Sequence, residues 1–168
     1  MMNILRMTTA VAALTLAATP AFAAPVEPTR QATATARIVK PLTLTWFQDM
    51  DFGTITLVDQ GPTTITVAQD GTRTCPGTAV TCSGASAAAR YKITGTNNQV
   101  VTVNSSNVSM AGPIGSTPLS LTVNAPASVN LGNSGASGAD LLIGGSISVA
   151  GTQAEGTYTG TFAVTVNY

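Results

Sequence analysis

The chain is expected to fold as an all-β sandwich, and three features of its sequence predict this. Charged residues are only 8% of the chain, against about 25% in an average protein, and Thr, Ser, Gly, Ala and Val fill the gap. Helical periodicity is absent beyond the first two dozen residues. Short runs alternating apolar with polar residues recur instead, separated by Gly, Pro, Asn and Asp. Eight or nine short strands spaced by such turn signals point to a sandwich and away from an α/β fold. No fixed-period repeat suggests a solenoid or propeller.

Residues 1–23 read as a Sec signal peptide. Arg6 is the positive n-region, Met7 to Ala18 is an apolar run too short to anchor in a bilayer, and Pro20 breaks it. Ala21-Phe22-Ala23 has the small-x-small pattern that signal peptidase cuts after, so the mature chain is expected to start at Ala24. No other long apolar stretch follows, which predicts an exported protein without an integral membrane segment.

Residues 24–36 are expected to form an extension, and 37–168 the sandwich domain. Pro25 and Pro28 mark a flexible leader. Ala32-Thr-Ala-Thr-Ala-Arg-Ile38 then alternates like a strand, although its apolar side is made of small residues. Pro41 interrupts, as at an edge strand or bulge, and Leu42-Thr-Leu-Thr-Trp46 resumes the pattern. Further strands are expected at Met50–Thr56 and Thr63–Ala68, either side of Gly61-Pro62. Ala89–Thr94 and Gln99–Asn104 flank the turn Gly95-Thr-Asn-Asn98. Leu119–Val123 and Ser128–Leu131 precede a Gly/Ser-rich loop, and Leu141–Val149 leads to the closing stretch.

That closing stretch, 156–168, is the most regular in the chain. Tyr158, Gly160, Phe162, Val164, Val166 and Tyr168 fall on one side; Thr157, Thr159, Thr161, Ala163, Thr165 and Asn167 fall on the other. A period of two means a strand with one buried and one wet face. Unbroken, it would reach roughly 43 Å at ~3.3 Å per residue. A strand that regular must be docked into something, since unattached ends fray.

Chemistry has few footholds. The two cysteines, Cys75 and Cys82, are expected to pair in an exported chain. Their spacing is not C-x-x-C, and the absence of histidine leaves a zinc site incomplete. No histidine also means no Ser-His-Asp triad and no Cys-His pair. Without Arg6 the chain carries six basic and seven acidic residues, with no basic patch to neutralise phosphates, so no nucleic-acid partner is expected. Asp49 and Asp51, two apart, could point the same way on a strand for glycoside hydrolysis or calcium. A strand start with Phe52 in the core and Gly53 at a turn is the stronger reading of that stretch. Lys92 in Arg90-Tyr-Lys-Ile suits a solvated strand face better than an isopeptide crosslink, and the sequons at Asn104 and Asn107 read as coincidental. Trp46 continues the Leu42, Leu44 face and is expected in the core. Phe47 is the ring to check for exposure, because the pair could also form a sugar-stacking platform.

Three stretches together resemble a known family: Ala32-Thr-Ala-Thr-Ala-Arg-Ile-Val-Lys-Pro-Leu-Thr-Leu, then Met50-Asp-Phe-Gly-Thr-Ile, then the ending Gly156-Thr-Tyr-Thr-Gly-Thr-Phe-Ala-Val-Thr-Val-Asn-Tyr. They are similar to a bacterial exported family catalogued only as a domain of unknown function. That family is similar in turn to the spore-coat-protein-U group, which includes subunits of archaic chaperone–usher pili. The resemblance implies an immunoglobulin-like sandwich of about seven to nine strands lacking one strand, which a partner supplies. A periplasmic chaperone lends it first, and the next subunit's N-terminal extension replaces it. Tyr158, Phe162, Val164, Val166 and Tyr168 would then border the groove and meet the chaperone or neighbouring subunit. Ala32, Ala34 and Ala36 would be the donor residues of segment 24–36.

The function expected is a non-enzymatic, cofactor-free subunit of a surface fibre (a pilus or fimbria), self-associating with help from a chaperone and an outer-membrane usher. It would pass through the periplasm to the cell surface. A self-contained glycan-binding adhesin is the alternative, and a secreted hydrolase using Asp49 and Asp51 a further one.

Overall fold

The computed structural model of the chain describes residues 23, 26, 29–58, 61–134 and 137–168. The predicted signal peptide, apart from Ala23, lies outside these residues, as do Ala24, Pro25 and Pro28. The chain divides into two units, Met1–Ala36 and Arg37–Tyr168. The described residues of the first are exposed and form no strand, Ala32, Ala34 and Ala36 among them. The alternation across 32–38 is therefore not realised as a strand within the lone chain.

The second unit is all-β, with no helix among the described residues. Its strands are β1 (Thr43–Gln48), β2 (Thr54–Leu57), β3 (Thr63–Val67), β4 (Arg73–Thr74), β5 (Val80–Ser83) and β6 (Ala89–Thr94). They continue with β7 (Val100–Ser105), β8 (Val108–Met110), β9 (Leu119–Asn124), β10 (Ser128–Asn130), β11 (Ala139–Val149) and β12 (Val164–Asn167). The twelve described strands exceed the seven to nine expected. The extra ones are short pieces, β4, β5 and β8, that carry no sustained alternation of their own.

β11 organises the molecule. Residues Ala139–Ile143 pair with β6, Gly144–Ile147 with β9 and Gly145–Val149 with β3, all antiparallel. Adding β1 beside β6, β4 beside β3 and β8 beside β9 makes a seven-stranded sheet. A three-stranded sheet runs β10-β7-β12, and β2 pairs with β5. β11 is flanked so closely that a Cβ at Gly144 would lie 2.4 Å from the Val67 carbonyl oxygen. Only glycine allows that approach.

Leu141, Ile143, Ile147 and Val149 of β11 are buried and feed two apolar clusters. One gathers Phe52, Ile65, Val67, Val80, Leu119, Leu121, Ile147 and Val149. The other gathers Ile93, Val101, Val103, Leu131, Leu141 and Ile143 between the β1-β6-β11 face and the three-stranded sheet. Met50, Val123 and Phe162 pack against both. No polar or charged residue among those described is fully buried, as burial without partners would cost too much.

Cys75 and Cys82 form the expected disulfide, with Cα atoms 6.2 Å apart. Closing so short a loop contributes roughly 2.5 kcal/mol on chain-entropy grounds. Phe52 is buried, and Gly53 turns the chain with φ of 70°. The Arg73 guanidinium fastens this turn to β5, donating to the carbonyls of Phe52 (2.7 Å) and Ser83 (3.1 Å).

Candidate functional site

The closing segment is not one long strand. Thr159 and Ala111 exchange backbone bonds of 2.7 and 2.8 Å, and β12 then pairs with β7 from Val164 opposite Ser105 to Asn167 opposite Thr102. The two pairings are out of register by one residue, so the ladder breaks over 160–162 and resumes where the Ser106 N–H donates to the Ala163 carbonyl at 3.3 Å. That slip overturns the unbroken strand expected over 156–168. The alternation itself survives as burial: Tyr158, Phe162, Val164 and Val166 are half-buried, while Thr157, Thr159, Thr161, Thr165 and Asn167 are exposed. None of the apolar row is fully covered.

The reason lies at the sheet edges. β12 pairs only with β7, β1 only with β6, and β2 only with β5, so each leaves one side of its backbone unpaired among the described strands. On the β1 side Leu42 and Leu44 are half-buried against the second cluster, and Phe162, Val164 and Val166 approach that cluster from the other sheet. Further along, Ile55, Leu57, Met110 and Tyr158 pack partly against the first cluster. Between 50–57 and 153–158 lies a cleft of about 710 Å³ floored by Phe52, Leu119, Ile147 and Val149. All three sheets thus leave an edge unpaired among the described strands along one flank, over a core that is incompletely covered.

Trp46 marks the same flank. It pairs with Tyr91, which pairs in turn with buried Leu141, so all three share the core-facing side of the sheet. Trp46 is nevertheless 57% exposed, which corrects its expected place in the core. Its strand is an edge, paired with β6 alone among the described strands. The indole N–H donates to the Asp49 carboxylate at 3.0 Å, and burial together with the Asp49 charge raises the pKa of Tyr91. Phe47 is the extra residue of a bulge between Trp46 and Gln48 and is 53% exposed, its ring centroid 5.6 Å from the Lys92 ammonium. Lys92 and Arg90 both reach Asp140, a solvated arrangement.

The two ends of the flank are tied differently. At one end the Tyr168 hydroxyl donates to the Lys40 carbonyl at 2.5 Å and accepts from the Thr96 N–H at 2.8 Å. At the other, the Tyr158 hydroxyl donates to the Ala154 carbonyl at 2.9 Å and accepts from Gln153 at 2.7 Å. All five closing-segment residues singled out in the sequence lie along this flank. The opposing border, Leu42, Leu44, Ile55 and Leu57, was not singled out. Its apolar spacing resembles that of any half-buried strand, and only long-range pairing makes it an edge. Asp49 and Asp51 each serve a local contact, Asp51 accepting from the Gly53 N–H at 2.8 Å. Among the described residues no cluster of three His, Cys, Asp or Glu side chains suits a metal ion, and no helix is long and apolar enough to cross a membrane.

Residues 42–168 match the model of a family described as a domain of unknown function, DUF4402. No match was found among curated proteins or among solved structures.

Proposed function

The chain belongs to the DUF4402 family, and we propose that it is a structural subunit of a bacterial surface fibre, assembled by adding a strand to its open flank. The observation that carries this is the flank itself, where the edges β1, β2 and β12 end unpaired among the described strands over half-covered core residues. Such edges invite another strand. An extended segment laid there gains main-chain bonds from the edges, and its alternate side chains cover the apolar rows. Segment 24–36 of a neighbouring copy, with Ala32, Ala34 and Ala36 facing inward, is the donor. A periplasmic chaperone holds the flank before assembly and an outer-membrane usher receives the subunit, as in the pili of the spore-coat-protein-U group. Export by the signal peptide and display at the cell surface follow from the same reading, with no enzymatic activity.

Trp46 is the only tryptophan and sits on the open flank, so it reports occupancy directly. Raising the chain concentration is expected to produce multimers together with a blue shift of Trp46 emission and slowed amide exchange at 164–167. Multimers that leave Trp46 emission and these amides unchanged would assemble through another surface, and the proposal would fall.

Exposure of Phe47 beside Trp46 favours a second reading, a glycan-binding adhesin in which the rings stack on sugar faces. Phe47→Ala is then expected to abolish signal on a glycan array while leaving assembly intact. Absence of any glycan signal from the unaltered chain removes this reading.

A further inference from the structure

We infer that Tyr168 is a latch that keeps the chain's own N-terminal segment out of its own flank, so that complementation runs between copies. This rests on the strand-addition reading above. A segment tethered to β1 has an advantage over one from a neighbour, because its effective concentration at the flank is in the millimolar range. Self-insertion would use up the flank and stop fibre growth. The residues just before β1 are held in a way that opposes it.

Lys40 is fixed at both of its backbone polar groups. Its N–H donates to the Thr96 hydroxyl at 2.6 Å, and its carbonyl accepts from Tyr168 at 2.5 Å. Tyr168 is itself held by the Thr96 N–H at 2.8 Å. The Arg37 guanidinium donates to the Gln99 side chain. Two contacts therefore bind 37–40 directly to the turn between β6 and β7, a third reaches it through Tyr168, and Ile38 points into solvent at 94% exposure. To enter the flank beside β1, the chain would have to reverse within 37–41, freeing Lys40.

Gly95 shows how closely the latch is built. A Cβ there would stand 2.6 Å from the Tyr168 hydroxyl oxygen and 2.8 Å from a Leu42 methyl. Any side chain would push the tyrosine off its partners.

Tyr168→Phe keeps the ring and removes the hydroxyl bond to Lys40, which lowers the ratio of pinned to released segment roughly fivefold. Refolded full-length chain is analysed by sedimentation, with hydrogen exchange read over 29–36 in the monomer fraction. Unaltered chain is expected to form multimers. Tyr168→Phe and Gly95→Ala are both expected to raise the monomer fraction severalfold, with 29–36 protected from exchange within the monomer. Ser128→Ala, which removes a hydroxyl from β10 at the edge of the three-stranded sheet away from β12, is expected to leave the partition unchanged. Multimers in the same proportion for all four chains, or extra monomer in which 29–36 exchanges freely, would overturn the latch. An unaltered chain that stays monomeric and open at every concentration would overturn the strand-addition reading beneath it as well.

Discussion

Removing residues 24–36 is expected to abolish self-association while the sandwich stays folded. No strand of the 37–168 unit draws on this segment, and its described residues are exposed and outside every ladder. Far-ultraviolet circular dichroism and the cooperativity of melting should therefore survive the deletion. Assembly should not, because the twelve or so residues removed are the ones able to span the flank, at ~3.3 Å each in extended form. Adding back a peptide of residues 24–38 is expected to restore protection at the 164–167 amides without restoring multimers, since the peptide occupies the flank but links nothing. Multimers of undiminished size after the deletion would sink the donor assignment and leave the flank in need of a different occupant.

The sandwich was legible wherever a strand carried its own buried face. Ala89-Arg-Tyr-Lys-Ile-Thr94 became β6 with the same bounds, and Leu141–Val149 became the greater part of β11. Ile93 of β6 and Leu141 and Ile143 of β11 reach 0% exposure, and Ala89, Ile147 and Val149 at the same period are buried. Period-two burial is a local signal and survives any tertiary arrangement. Trp46 was illegible for the opposite reason. Its alternation with Leu42 and Leu44 correctly assigned the face, but exposure depends on what stands across from that face, and at the edge strand β1 the ring stays 57% exposed. The closing segment shows both effects. Its apolar row kept its side, while its length as a strand was set by a one-residue slip against 105–111 that no pattern within 156–168 encodes. β5 was missed because Val80-Thr-Cys-Ser83 is held by pairing with β2 and by the disulfide rather than by alternation.

The division between core and flank can be read energetically with two substitutions. Ile143 lies at the centre of β11, fully buried between the β6 pairing and the second cluster. Ile143→Ala removes three carbons and leaves a cavity that a sheet centre cannot collapse, a loss of about 3–4 kcal/mol. In a domain of this size, that lowers the melting temperature by roughly 10 °C. Val166 belongs to the same cluster but is only half-buried, so Val166→Ala in the chain lacking 24–36 is expected to cost about 1 kcal/mol or less. The order reverses for strand addition. A donor strand completes the burial of Val166 and leaves Ile143 untouched, so Val166→Ala should weaken peptide binding roughly tenfold. Ile143→Ala should lower stability and leave binding to the folded fraction nearly unchanged. Thermal melts and peptide titration of the two variants, side by side, separate the cases. Equal losses of melting temperature would mean that Val166 is already covered in the lone chain, and a flank already covered has no strand to receive.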